Sequence, residues 1–168
     1  YMGTLVSIII PTFNRAKTIA RAIKSCLLQS YQEIEVIVVD DYSSDDTAGI
    51  VKSFNDSRIK YLVHNKNLGP AAARNTGLRN ANGEFITFLD SDDEWMKDKI
   101  ARQLKAYIDL GDYGEKVGLV FVNGYNEAED HDFIQKKQSG FIYNPVKDKF
   151  YPLRELIAPP SSWMLRKD

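Results

Sequence analysis

Apolar and polar positions alternate in blocks along the first two thirds of the chain. Leu5–Ile10 is a short β-branched run closed by Pro11, and it predicts a strand buried on both faces. Ala16–Gln29 follows with Ile19, Ile23, Cys26 and Leu27 on one helical face. Glu35–Asp40 is a second buried strand. Asp45 or Asp46 can cap a short helix carrying Val51 and Phe54. Ile59–His64 is a third, weaker strand. Gly69-Pro70 opens a helix through about Asn80, proline suiting the first helical position because its missing N–H would be unpaired there. Gly83 lies where a helix C-terminal glycine belongs. Phe85–Asp90 is the fourth strand, Trp95–Leu110 a helix with Ile100, Leu104 and Ile108 in register, and Val117–Val122 the fifth strand.

Strand and helix in alternation imply parallel pairing with helices on both faces. The expected fold class is therefore α/β, an open, mostly parallel sheet. In such sheets ligands bind outside the carboxyl ends of the strands. After Asn123 the pattern lapses. Asn126–Asp132 reads as a charged loop, Phe141–Tyr143 as a short strand, Pro152–Ala158 as a short helix and Ser161–Arg166 as the start of another strand. The expectation is one domain over 1–168, with a ligand-binding half over 5–122 and an incomplete second region over 123–168. Met2, preceded by Tyr1, is the expected natural start.

Bulk properties narrow the classes. The 168 residues suffice for one core. A net charge of −1 supplies no global basic field for nucleic acid, so no nucleic-acid partner is expected. No apolar run reaches the roughly 18 residues of a membrane span. The single cysteine, Cys26, excludes an internal disulfide and a cysteine-based zinc cluster, and fits a reducing, cytoplasmic setting.

The candidate chemistry is acidic and sits at strand ends. In FITFLDSDDEW, Asp90, Asp92 and Asp93 crowd the end of the fourth strand. Like charges so placed are either solvated, or used to cap the Trp95 helix, or gathered around a cation. Hard oxygen ligands suit Mg²⁺ or Mn²⁺, which keep several waters and bind substrate phosphates. At the end of the second strand, Asp40-Asp41 offers a carboxylate able to accept from a base N–H such as uracil N3–H. A capped turn explains the same pair, since VVDDYSSDDT is rich in turn formers. GxGxxG after the first strand and GxxxxGK[ST] are both absent. His64 and His131 have no metal-ligand spacing and read as surface or strand-end residues.

Four segments taken in order, SIIIPTFNR, EVIVVDDYSSDDT, NLGPAAARNTGL and GEFITFLDSDDEW, closely resemble the family 2 glycosyltransferases of the GT-A fold. The resemblance covers Val6 to about Leu110. It implies transfer of a sugar from a nucleotide diphosphate sugar, with uridine diphosphate the expected carrier, to a sugar or lipid-linked acceptor hydroxyl with inversion, in polysaccharide or glycoconjugate biosynthesis. It places Pro11, Thr12 and Asn14 beside the nucleotide, Asp40 on the base and Arg74 on the nucleotide side of the pocket. Asp90 and Asp92 resemble the family's DxD pair, with Asp92 a direct ligand of Mn²⁺ or Mg²⁺ and Asp90 nearer ribose and metal. A peripheral position at the membrane fits a lipid-linked acceptor.

Inverting transfer needs a general base. The resemblance places it in an acceptor-side segment expected beyond Asp168. Glu127, Glu129, Asp130 and Asp132 match no motif. A nucleotide-binding half-domain without transfer activity is the alternative. A phosphoaspartate-type phosphatase would carry its DxD after an apolar strand too, but with Thr or Val where Glu94 stands. A receiver domain would carry its acidic pair on the first strand, not the second.

Overall fold

The computed structural model describes residues 3–109, 119–121 and 163–167. Among these, six strands form one sheet in the order β3-β2-β1-β4-β6-β5. The strands are β1 (Val6–Thr12), β2 (Ile34–Asp40), β3 (Ile59–Val63), β4 (Phe85–Phe88), β5 (Leu119–Phe121) and β6 (Trp163–Arg166). The helices are α1 (Ile19–Leu27), α2 (Thr47–Ser53), α3 (Pro70–Asn80) and α4 (Lys99–Asp109). β1 to β4 are mutually parallel where they pair. β6 runs antiparallel to both β4 and β5.

Both sheet faces are covered, because the middles of β1 (Ile8–Ile10) and β2 (Val36–Val39) are apolar on both sides. Even-numbered Ile8, Ile10, Val36 and Val38 pack with Ile19, Ile23 and Cys26 of α1, Val51 of α2, and Ile100, Leu104 and Tyr107 of α4. Odd-numbered Ile9, Ile37 and Val39 pack with Ala73 of α3. A Cβ on Gly77 would strike the Ile9 side chain, so α3 lies unusually close to β1. The fully buried Cys26 is a core residue, and burial pushes its thiol up to about 12.

Several sequence expectations change. Pro11 does not stop β1; it pairs with Val39 inside the strand. The carbonyl of Ile9 accepts from Leu89 on the β4 side, and Pro11 faces the same way. Pairing with β4 ends at Ile9–Phe88, so the missing N–H of Pro11 falls where no ladder bond is required. Gly83 is not a helix cap either, since α3 ends at the extended Ala81. A Cβ there would lie 2.7 Å from the Leu5 carbonyl oxygen and the Ser7 nitrogen, so glycine is needed for close approach to β1. Finally, α4 starts at Lys99, not Trp95. Gln29 dictates that start: its Nε2 donates to the Met96 carbonyl (2.9 Å) and its Oε1 accepts from Ile100 N–H (3.1 Å). Asp92 and Asp93 are therefore too far upstream to cap α4.

Of the fifth strand expected over 117–122, Leu119–Phe121 is described and is a strand, and the strand begun at Ser161 is observed as β6. The readings for 126–132, 141–143 and 152–158, and His131, lie outside the described residues.

Candidate active site

The direction of the chain reverses between β1 and β4. From β1 the chain steps outward to β2 and β3, then returns to place β4 on the other side of β1. Loops leaving the carboxyl ends of β1 and β4 therefore diverge and open a crevice there. Thr12, Asp40, Asp41 and Asp90 all lie at this edge.

Two loops form one wall. Asn14 adopts the left-handed region at φ 51, which asparagine tolerates. Its Oδ1 accepts from Ser44 N–H (2.8 Å), and its own N–H donates to Ser43 Oγ (2.8 Å). Arg15 N–H donates to Thr47 Oγ1 (3.0 Å) and Ala16 N–H to Asp45 Oδ2 (2.9 Å). The β1–α1 loop is thus stitched to the β2–α2 loop. Asp45, not Asp46, supplies the carboxylate at the start of α2, accepting from Thr47 N–H (3.1 Å).

At the end of β2 both acids are buried. Asp40 is 2% exposed; its Oδ1 accepts from Ser43 N–H (2.8 Å) and its Oδ2 from the Tyr61 hydroxyl. Burial, then the hydrogen bond to Asp40, raises the Tyr61 hydroxyl, which keeps it a donor. Each Asp40 oxygen retains a further lone pair. Asp41 turns to the α3 face and accepts from His64 Nδ1 (2.7 Å), Leu68 N–H (2.8 Å) and Gly69 N–H (2.7 Å). Burial pushes its carboxyl up, but these donors together hold it below its ordinary value.

Beyond the end of β4, Asp90 and Asp92 each face an arginine. Arg74 Nη2 donates to Asp90 Oδ1 at 2.7 Å. Arg15 Nη2 lies 3.5 Å from Asp92 Oδ2. Arg21 donates to the Asp92 carbonyl (2.8 Å) and approaches Glu94 (3.6 Å). Asp93 N–H closes a turn on the Asp90 carbonyl (3.0 Å). Trp95 packs in the core with the Lys99 amine over its ring.

Two buried polar atoms at this edge have no hydrogen-bond partner, Thr12 Oγ1 and Arg74 Nε. Buried polar groups are nearly always paired, so such orphans mark where ligand atoms can be received. No three His, Cys, Asp or Glu side chains converge on a metal position among the described residues. Among the described residues, the carboxylates beyond β4 that could share a cation are those of Asp90 and Asp92. That suits Mg²⁺ or Mn²⁺, whose remaining positions go to water and phosphate oxygens.

Thr12, Asp40, Arg74, Asp90 and Asp92 share this crevice edge, Pro11 precedes it within β1, and Asn14 spends its side chain on the wall. The sequence reading missed Arg15, Tyr61 and His64. Arg15 was signalled by its place next to Asn14. Tyr61 and His64 carried no local signal, because their partners are 21 and 23 residues away in sequence.

The family model described as glycosyl transferase family 2 matches residues 7–168. The chain belongs to that family. It is 50% identical over 133 residues to the Escherichia coli UDP-Glc:alpha-D-GlcNAc-diphosphoundecaprenol beta-1,3-glucosyltransferase WfgD, covering 79% of this chain and 50% of that protein. Its fold superposes on Staphylococcus aureus TarS 1-349, solved in complex with UDP-GlcNAc, with a TM-score of 0.61 and 33% identity over 72% of this chain and 36% of that one. The mannosyltransferase PcManGT of Pyrobaculum calidifontis, solved in complex with GDP-Man and Mn²⁺, gives a TM-score of 0.64 and 31% identity over 71% of this chain and 35% of that one. The family 2 domain described here is therefore an α/β, mostly parallel sheet of GT-A type. It spans half or less of the length of the curated relatives it matches. No helix among its described residues is long and apolar enough to cross a membrane.

Proposed function

We propose that this chain forms the donor side of an inverting glycosyltransferase that takes a sugar from a nucleoside diphosphate, with uridine diphosphate the expected carrier. The observation that carries the reading is the meeting of Thr12, Asp40, Arg74, Asp90 and Asp92 at one crevice edge, two of them with orphaned polar atoms. Asp40 accepts from the base N–H with a remaining lone pair. The exposed rings of Phe13 and Tyr42, at the ends of β1 and β2, offer faces for base stacking. Pro11 and Asn14 shape the loop beside the nucleotide. Arg74 and Arg15 bring positive charge to the diphosphate end.

Asp90 and Asp92 would hold Mn²⁺ or Mg²⁺, which when bound supplies positive charge against the charge growing on the leaving diphosphate. The two arginines neutralise the same carboxylates when the cation is absent. The acceptor is a sugar or lipid-linked hydroxyl, by analogy with the diphosphoundecaprenol-linked acceptor in the name of WfgD. Residues 5–122 serve as the nucleotide-sugar half and 123–168 begin the acceptor side. The general base is placed on the acceptor side, outside the described residues. Attachment at the cytoplasmic membrane surface suits a lipid-linked acceptor.

The test is a thermal-shift screen of uridine, guanosine and thymidine diphosphate sugars with Mn²⁺ and with chelator, followed by product analysis. A metal-dependent shift with one nucleotide class and release of nucleoside diphosphate is expected. Free phosphate would indicate a phosphatase. Binding without transfer to any of a panel of sugar and lipid-linked acceptors would support the nucleotide-binding half-domain alternative. No shift with any donor overturns the proposal.

A further inference from the structure

We propose that His64 is a positioning residue for the diphosphate end of the site. It lies just beyond β3, and its imidazole bridges Asp41, at the end of β2, to Thr76 on α3. Nδ1 is 2.7 Å from Asp41 Oδ1 and Nε2 is 2.9 Å from Thr76 Oγ1. An ionised carboxylate can only accept, so Nδ1 carries the proton. In the neutral ring Nε2 then accepts from the Thr76 hydroxyl, whose oxygen also accepts from Arg79 Nη2 (3.0 Å). Every group in the chain is satisfied. The His64 side chain is 10% exposed and that of Asp41 4%, so these bonds are shielded from competing water.

The bridge fixes a helix, and that helix carries Arg74. Asp41 binds the two N–H groups of Leu68 and Gly69 at the α3 entry, and Gly69 sits at φ 88, which leaves that turn little intrinsic rigidity. α3 also has polar residues along much of its surface and only Ala73 and Gly77 fully buried. Ala73 and Gly77 seat the helix on β1 and β2, and the polar contacts along it set how it lies on that seat. One lies at Gly69 through Asp41, another at Thr76 through His64. Arg74 falls between them and reaches Asp90. The Asp40 carboxylate is held by Ser43 and Tyr61, and the His64 contact to Asp40 is a backbone bond that does not use the imidazole. Loosening the His64 bridge therefore shifts Arg74 without moving Asp40.

The proposal rests on reading this edge as a nucleoside diphosphate site. Its test compares uridine diphosphate and uridine monophosphate binding, by calorimetry with Mn²⁺, in the unaltered chain and in Thr76→Val, His64→Asn and the double variant. Asn keeps a donor near the Nδ1 position and hence the Asp41 end only. Val is nearly isosteric with Thr and removes the other end without disturbing Asp41. Melting temperatures verify that each variant is folded. Either single substitution is expected to lower diphosphate affinity by about tenfold, the scale of one lost hydrogen bond, while monophosphate affinity changes by less than about twofold on the same scale. Once one end of the bridge is lost the other transmits nothing, so the double variant is no weaker than the singles. An unchanged diphosphate-to-monophosphate ratio in Thr76→Val overturns the proposal, as do equal losses for both nucleotides or additive losses in the double variant. If the unaltered chain binds no nucleoside diphosphate, the functional reading falls and this role falls with it.

Discussion

Arg74 on α3 and Asp90 beyond β4 form an ion pair with a 2.7 Å Nη2–Oδ1 contact, with both side chains about a quarter to a third exposed. Asp92 has a looser partner in Arg15, at 3.5 Å and about half exposed. Exposed pairs of this kind contribute little to stability. Their effect is local: they keep two closely spaced carboxylates from repelling one another, and they are open enough to be exchanged for another cation.

Uridine diphosphate is expected to bind at least about tenfold more tightly with Mn²⁺ than with excess chelator, because without the cation Asp90 and Asp92 occupy the Arg74 and Arg15 charge that would otherwise meet the diphosphate. Asp92→Ala is expected to remove most of that difference and leave the chelator value unchanged or improved. Calorimetry under the two conditions checks it. Equal affinity in chelator and Mn²⁺ for the unaltered chain contradicts the metal role.

Cytidine diphosphate is expected to bind worse than uridine diphosphate if Asp40 reads the base. Cytosine N3 is an acceptor and would face a carboxylate, at a cost of ~1–3 kcal/mol for an unpaired buried group. Asp40→Asn should shrink the gap, since an amide can donate as well as accept. Competition binding of the two nucleotides measures it, and equal affinities in the unaltered chain would remove Asp40 from the base.

Gly83→Ala is expected to destabilise the fold by about 1–3 kcal/mol, the usual range for forcing an extra carbon into a packed site. The new Cβ would meet the Leu5 carbonyl oxygen, Ser7 nitrogen and Ser7 Oγ, all at 2.7 Å, and two of these are backbone. Urea unfolding gives the value directly. A variant as stable as the parent would mean that β1 and the β4 entry can separate freely.

Lys99 is 5% exposed, with its amine on the Thr87 hydroxyl (3.0 Å) and 3.7 Å from the Trp95 ring centroid. The ring favours an ammonium, whereas burial drives the amine well below its ordinary range. Cys26 offers no thiolate counter-charge at neutral pH. Between the lowered folded value and the ordinary unfolded one, the unfolded chain binds a proton that the folded chain sheds. Stability therefore rises with pH across that window, by at most ~1.4 kcal/mol per pH unit for one proton. Lys99→Met is expected to be more stable than the parent at pH 7, with the advantage shrinking toward pH 10. Parallel pH profiles for the two proteins would show that Lys99 stays charged.

Much of the fold was legible because β1, β2 and α3 follow local rules. Ile8–Ile10 and Val36–Val39 are apolar on both faces, and Gly69-Pro70 announces a helix start. The clustering of Asp90 and Asp92 beyond a buried strand was legible from the apolar run that precedes them. The α4 start was not, because Gln29, about seventy residues earlier, binds the backbone of Met96 and Ile100 and holds the segment after Trp95 out of helix. The His64 bridge was hidden for a similar reason. Its partners Asp41 and Thr76 meet only when β2, β3 and α3 are assembled, and no spacing rule encodes that. Pro11 misled because a proline is tolerated inside a strand wherever the neighbouring ladder has already ended.

β6 lies between β4 and β5, and among the described residues β5 pairs with nothing else. On the ribosome this sets a schedule. Strands β1 to β4 can pair as soon as Phe88 has emerged, but the far edge of β4 stays open until Trp163–Arg166 follows. β5 is synthesised before the strand that will hold it and must wait. Throughout that interval the nascent chain carries a bare, apolar strand edge, the kind of template on which chains aggregate. Slow elongation or a stall between Phe121 and Trp163 would lengthen the exposure. The antiparallel insertion thus makes the yield of soluble protein depend on the pace of translation as well as on the stability of the finished sheet.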